Sequence, residues 1–210
     1  FKNQQSENKI TSLKNEVNHW THLGLLAGIQ HTFKNKAMLD MSYDHLEYDN
    51  IQPSDYLNSS LLVVEDIDFY NQIRTNKNTP LNINVFKVDY NVPIKDKLKF
   101  ELGAKLTKSN FINEQLVEYN INNTWQKEDL YSSYVTYDES IFATYSTLQI
   151  DLDKKTNMQA GLRYEKTVST LENVEGKPLT ERNYGQFFPN FLINRKLSDQ
   201  SSIGLAFTNR

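Results

Sequence analysis

Along 98–107 apolar and polar side chains alternate without interruption. Leu98, Phe100, Leu102, Ala104 and Leu106 fall on one side, and Lys99, Glu101, Gly103, Lys105 and Thr107 on the other. A two-residue period is the signature of a β-strand, because successive side chains leave a pleated strand on opposite faces. The pattern recurs. Phe86, Val88, Tyr90 and Val92 oppose Lys87, Asp89 and Asn91; Met158, Ala160, Leu162 and Tyr164 oppose Gln159, Gly161, Arg163 and Glu165; Leu23, Leu25, Ala27 and Ile29 share a face in 19–33. The chain must therefore build a sheet with one apolar and one polar face. Segments of about thirteen residues exceed the five or six usual in globular strands. They also exceed the roughly nine to eleven that cross a bilayer, so walls standing beyond the membrane are expected of a membrane sheet.

Alternation and turn signals predict about eight strands, near 19–33, 37–48, 81–93, 97–110, 137–152, 157–170, 187–197 and 202–210. The connections alternate in length. Lys34-Asn35-Lys36, Lys95-Asp96-Lys97, Asp153-Lys154-Lys155 and Ser198-Asp199-Gln200 are short and polar, while 49–80, 111–136 and 171–186 are long. Short turns at one end and long loops at the other are the layout of an up-and-down barrel of the outer membrane, with the short turns periplasmic. Within 49–80, Asp55–Val64 is expected to form a further strand pair or to extend the wall above the membrane.

No apolar run approaches the roughly 20 residues of a spanning helix; Leu61-Leu62-Val63-Val64 is typical of the longest. A barrel strand needs an apolar residue only at every second position. Tyr (12) and Phe (11) are abundant, which suits strands and the aromatic girdles of a membrane barrel. A net charge of -3 offers no basic footprint, so nucleic acid is not an expected partner. With no cysteine there is neither a disulfide framework nor a thiolate metal site. Phe1-Lys2-Asn3-Gln4-Gln5 lacks the apolar core of a signal peptide, and Asn209-Arg210 ends in what reads as a strand. The chain is therefore expected to be an internal piece of a longer protein. Gly24, Gly28, Gly103, Gly161 and Gly204 fall inside predicted strands, all on the polar face, where glycine marks a bend or a close approach. The prolines Pro53, Pro80, Pro93, Pro178 and Pro189 are expected in loops or at strand ends. Period two does not by itself say which face is inside: a soluble barrel turns its apolar face inward, a membrane barrel outward.

Four stretches, in order, bear on that choice. Val88-Asp89-Tyr90-Asn91-Val92-Pro93, with Leu98-Lys99-Phe100-Glu101-Leu102-Gly103-Ala104-Lys105 after a short turn, is the first. Tyr137-Asp138-Glu139-Ser140-Ile141-Phe142-Ala143-Thr144-Tyr145 is the second, and Gln159-Ala160-Gly161-Leu162-Arg163-Tyr164-Glu165-Lys166-Thr167 the third. Tyr184-Gly185-Gln186-Phe187-Phe188-Pro189-Asn190 is the fourth. Together they resemble the barrel wall of TonB-dependent receptor-like outer-membrane proteins of the Bacteroidetes type, best over 80–210. The resemblance implies a transmembrane β-barrel in contact with outer-membrane lipid, and a receptor for nutrient uptake driven through the TonB complex. It also implies a plug domain upstream of these 210 residues and an extracellular ligand it does not name. It brings no ligand-binding residue with it.

Chemical sites are few. His19, His22, His31 and His45 show no zinc spacing, and His22 and His31 differ in parity and so face opposite sides. Glu65-Asp66-Ile67-Asp68 lacks the glycine-centred loop of a calcium site and reads as a solvated loop. Arg163 and Glu165 share the polar face and are expected to pair in a luminal network or against a plug. No nucleophile elbow, phosphate loop or dinucleotide fingerprint occurs, so neither catalysis nor a cofactor is expected. Trp125, Tyr131, Tyr134 and Tyr137 lie in or beside a predicted extracellular loop, where they pack the loop or stack on a planar ligand. Three functions remain open at this point: an energised uptake receptor, a surface barrel that binds without transporting, and a soluble barrel holding a lipophile.

Overall fold

The structure is a computed structural model that describes residues 8–62 and 67–209. These form one antiparallel sheet of eleven strands: β1 (Asn8–Glu16), β2 (His19–Thr32), β3 (Met38–Leu62), β4 (Ile67–Asn78), β5 (Leu81–Lys95), β6 (Leu98–Ile121), β7 (Thr124–Lys127), β8 (Ser133–Asp151), β9 (Thr156–Asn173), β10 (Pro178–Lys196) and β11 (Ser202–Thr208). β1 and β2 stand end to end along one side of β3. β4 and β5 do the same along its other side, and β5 and β4 share β6 as their next neighbour. From β6 the sheet runs on as a meander through β8, β9, β10 and β11. Counting each end-to-end pair as one stave, the main wall has the eight staves the alternation predicts.

The staves are longer than predicted. β3 has 25 residues and β6 has 24, about 80 Å each at roughly 3.3 Å per residue. The segments 49–80, 111–136 and 171–186, expected as long loops, are largely strand. β3 climbs to Leu62 and β4 returns; β6 reaches Ile121 and folds back as β7; β9 and β10 meet at a turn around Gly176. Of the segment Asp55–Val64, the part to Leu62 extends the wall, and Val63 and Val64 lie outside the described residues. The physical reason for the difference lies in the surroundings. Where both faces of a sheet meet water, nothing requires alternation, and the two-residue signal fades although the hydrogen-bond ladder continues. The turns that close these hairpins are built by residues tolerant of positive φ. Asn122 (51°) and Asn123 (62°) make the β6–β7 turn, and Gly176 (71°) the β9–β10 turn.

Three of the prolines expected in loops or at strand ends lie within strands. Pro53 is inside β3, Pro93 inside β5 and Pro189 inside β10. Each sits where the neighbouring ladder is already interrupted. The Pro53 carbonyl accepts from the Val17 amide at the break between β1 and β2, and the Pro189 carbonyl accepts from Asn209 just past the end of β11. At Pro93 the β5–β6 register shifts. A residue without an N–H is tolerated at such points because no ladder bond is lost there.

Nothing in the sheet is a hydrophobic core. Among the described residues the buried apolar side chains are Ala37, Val117 and Ala143, and the remaining large apolar residues are half-buried or exposed. The molecule exposes 15666 Å², whereas a compact soluble protein of its mass exposes roughly 10,000 Å². Leu25, Ile29, Phe86, Leu102, Phe142, Leu162, Phe187 and Phe207 all stand exposed on one face of the sheet. That face needs lipid.

Candidate functional site

Register fixes what each face presents. On the outward face the apolar band runs along β6 from Leu98 to Leu106 and continues across its neighbours through Val88, Phe86, Phe142 and Leu148. From Leu98 to Leu106 is about 27 Å along the strand at roughly 3.4 Å per residue. At the roughly 40° tilt of such walls this is about 21 Å of height, close to the ~25 Å apolar band of outer-membrane barrels. The band ends upward in polar rows. His45, Asn84, Lys108 and Ser140 are paired across four strands, followed by Glu47, Asn82, Asn110 and Asp138. The Tyr43 hydroxyl donates to Asn84 at 2.7 Å, and His45 bonds both Asn84 at 2.8 Å and Glu47 at 3.0 Å. These groups close the apolar band at the end where the strands run on into the long walls.

The inward face at membrane depth is a connected polar surface. Asp89, Gly103, Tyr145, Arg163 and Phe188 form one row from β5 to β10. Tyr145 reaches over Gly103 and donates its hydroxyl proton to Asp89. Lys87 holds the other carboxylate oxygen of Asp89 at 2.5 Å, and Asp89 is only 6% exposed. The Arg163 guanidinium lies over the Tyr145 ring at 5.4 Å and pairs with Glu165. Arg163 and Glu165 are thus brought together on the inner face, beside an open trough of about 830 Å³ lined by Gln159, Phe188, Asn190 and Leu192 among others. Glycine is required under Tyr145. A Cβ at Gly103 would run into the Tyr145 ring and stand 2.6 Å from the Asp89 carboxylate. Gly161 likewise makes room for Asn190, whose side chain would be 2.7 Å from a Cβ there.

The singled-out aromatics do not form one cluster. Trp125 sits on β7 against the outward face, with the Arg74 guanidinium 4.5 Å from its ring. Arg74 in turn grips Glu118 in a two-pronged ion pair, 2.5 and 3.0 Å. That ion pair holds the Glu118 carboxyl below its ordinary value. Tyr131 is exposed in the β7–β8 connection. Tyr134 and Tyr137 lie in β8 with opposite parity, and Tyr137 turns inward to pack on Phe111, ring centres 5.2 Å apart. His22 faces inward against Tyr48, and His31 faces outward against Phe33. Among the described residues no three His, Asp or Glu side chains converge on a metal position. Glu65 and Asp66 of the acidic run lie outside the described residues. Sequence reading missed the inward aromatic row that includes Tyr48, Phe111 and Tyr137. Its signal was available in the register of 48, 81, 111 and 137, which only the strand pairing brings into line.

The sequence matches the family model described as the outer membrane protein beta-barrel family over residues 31–210. No curated protein sequence matches it. Among solved structures it is similar to the ferric citrate transporter FecA in its unliganded form, at 16% identity and a TM-score of 0.45, covering 93% of this chain and 35% of that one. It is also similar to the ferric yersiniabactin uptake receptor FyuA from Yersinia pestis, at 12% identity and a TM-score of 0.32, covering 96% of this chain and 46% of that one. This chain spans about a third of the length of the first and under half of the second. At these scores it is the family match, not the structural likeness, that carries the assignment.

Proposed function

This chain belongs to the outer membrane protein beta-barrel family and resides in the bacterial outer membrane, and from that premise we propose that it is barrel wall of an energised receptor for nutrient uptake. One observation carries the reading. At membrane depth the inward face is lined by a satisfied network of charged and polar side chains, Lys87, Asp89, Tyr145, Arg163 and Glu165, with Tyr145 laid over Gly103 and Asn190 over Gly161. A passive wall facing only water has no need to tie its side chains together so tightly; a wall that holds a plug which must later move has. In this reading a plug domain and a TonB-contacting segment belong to the same protein, and the plug docks on the Asp89–Tyr145–Arg163 row.

Backbone pairing supports the larger barrel. Among the described residues the free edges of the sheet are β1 and β2 on one side and β11 on the other, and in lipid each unpaired N–H or C=O costs several kcal/mol. Further strands are needed on both edges. The long walls above the membrane favour a second reading, a surface barrel that binds without transporting.

Deletion of the gene and of tonB, singly and together, in the producing bacterium separates the two. The receptor reading expects the same nutrient uptake to be lost in each single deletion and no further loss in the double. Unchanged uptake of every nutrient, with altered attachment or surface binding, would overturn it.

A further inference from the structure

The four short turns repeat one arrangement. Phe33, Leu152 and Leu197 continue the outward parity of His31, Ile150 and Arg195. Each donates its amide across its own hairpin, to Ala37, Thr156 and Ser201. Ile94 follows the outward Val92 in the same way at the β5–β6 turn. All four side chains are exposed, Phe33 by 40% and Leu197 by 58%. Phe33 is fixed there by edge-on packing against His31 and Tyr90, both outward. Next to each in the chain stands an exposed basic pair: Lys34 with Lys36, Lys95 with Lys97, Lys154 with Lys155, and Arg195 with Lys196. Neighbouring turns lie two staves apart, about 10 Å across the strands at roughly 4.8 Å per step.

The turns 33–37, 94–97, 151–156 and 195–200 hold eight of the chain's 23 Lys and Arg but four of its 26 Asp and Glu. That is a local surplus of four positive charges in a chain whose net charge is -3. The carboxylates do not neutralise it. Asp153 is tied into its own turn: Oδ1 accepts from the Lys155 amide at 2.6 Å and Oδ2 from the Thr156 hydroxyl at 3.1 Å, with Arg195 3.8 Å away. Among the described residues none of the seven lysines of these turns forms an ion pair. At the far end of the staves Lys14, Arg74, Lys127 and Lys177 each hold a carboxylate. Unpaired cations thus gather where the apolar band ends at the short turns.

An apolar side chain on the lipid side with two cations beside it selects an occupant that joins acyl chains to an unbalanced negative charge. Lysine lays its stem along apolar surface and carries its ammonium to the edge of it, where headgroups begin. A zwitterionic phospholipid brings its own amine to its phosphate and leaves little for a lysine. A soluble acidic segment reaching the turns from the aqueous side would leave Phe33, Ile94, Leu152 and Leu197 uncovered. We infer that the short-turn rim is a binding surface for anionic phospholipid, with a phosphate at each basic pair and acyl chains against the apolar residue beside it. Outer-membrane barrels keep their short turns on the periplasmic side, so the lipid belongs to the inner leaflet. The surface follows from the wall and its turns and is independent of what the barrel transports.

The test uses the full-length protein extracted from outer membranes in detergent. It is incubated with mixed micelles of equal parts dioleoyl phosphatidylglycerol and dioleoyl phosphatidylcholine, repurified, and its retained lipid quantified by mass spectrometry. Phosphatidylglycerol is expected to be enriched, and less so as salt is raised. Glutamine in place of Lys34, Lys36, Lys95, Lys97, Lys154 and Lys155 together should lower the enrichment roughly three- to tenfold, and arginine at the same positions should preserve it. Each pair changed alone should remove its share, which keeps the test open if the combined variant fails to fold, as judged by heat-dependent mobility in gels. Lys127→Gln with Lys177→Gln, at the far end, should leave the enrichment unchanged. Equal retention of the two lipids by the parent, or enrichment that survives the glutamine changes in folded protein, overturns the inference. Enrichment lost as much in the far-end variant overturns it too, since overall charge is then the cause. Glutamine variants that keep their lipid but shed a co-purifying acidic periplasmic protein assign the rim to that protein instead and likewise overturn it.

Discussion

Tyr145 lies across Gly103 to donate its hydroxyl proton to Asp89, a residue two staves away. The contact spans β5, β6 and β8 with a single side chain. It works because the stave between them carries no Cβ at that point. Removing the hydroxyl by Tyr145→Phe leaves one oxygen of a buried carboxylate without its partner while Lys87 keeps the other. The expected cost is about 1–3 kcal/mol in urea unfolding from lipid vesicles. Gly103→Val should cost more, because the ring itself is displaced. Equal stability of Tyr145→Phe and the parent would show that the network is not closed as described.

Height along one face decides what a charge costs. Leu102 and Leu57 both point outward, Leu102 within the lipid band and Leu57 on the wall above it. Leu102→Arg is expected to destabilise the protein in vesicles by about 2–4 kcal/mol, and Leu57→Arg by about 1 kcal/mol or less. Equal costs at the two positions would mean that the band is misplaced.

The Arg74–Glu118 ion pair ties β4 to β6 above the membrane. Arg74 holds the Glu118 carboxyl below its ordinary 4.5. A depressed carboxyl stabilises the fold above that ordinary value, and the contribution is lost as the pH falls through the lower folded-state value. Trp125 rides on Arg74 and reports the event. In a Trp20→Phe background its emission should shift with a midpoint below 4.5, and Glu118→Gln should remove the transition. A midpoint at or above the ordinary value would contradict the pairing.

Among the described residues, backbone amides along β2 and β11 have no strand beyond them. In the intact protein in its membrane they should exchange with solvent as slowly as those of β6, because lipid offers no substitute partner. Fast exchange along both edges would mean that the wall stands open to water.

The residues that declare themselves in the sequence are those with lipid on one side and water on the other. Around Phe86, Leu102 and Leu162 the medium differs between the faces, so every second residue must be apolar, and strand and facing are readable one stave at a time. The same argument placed His22 and His31 on opposite sides and gathered Arg163 with Glu165. Above Asn110 the media no longer differ, and the upper parts of β3 and β6, with β4 and β7, left no alternating trace. There the structure had to show that the expected loops are strands. Pro53 and Pro189 are strand residues for a reason equally hidden from local reading, since what permits each is a break in a neighbour distant in sequence.

The sequence by itself determined that this is a sheet, which residues share its apolar face, and roughly how many staves cross. Tertiary structure decided which residues share a row. Asp89 with Tyr145, and Tyr48 with Phe111 and Tyr137, are neighbours only through register. Register is set by the summed pairing of whole staves, so no short stretch of sequence contains it.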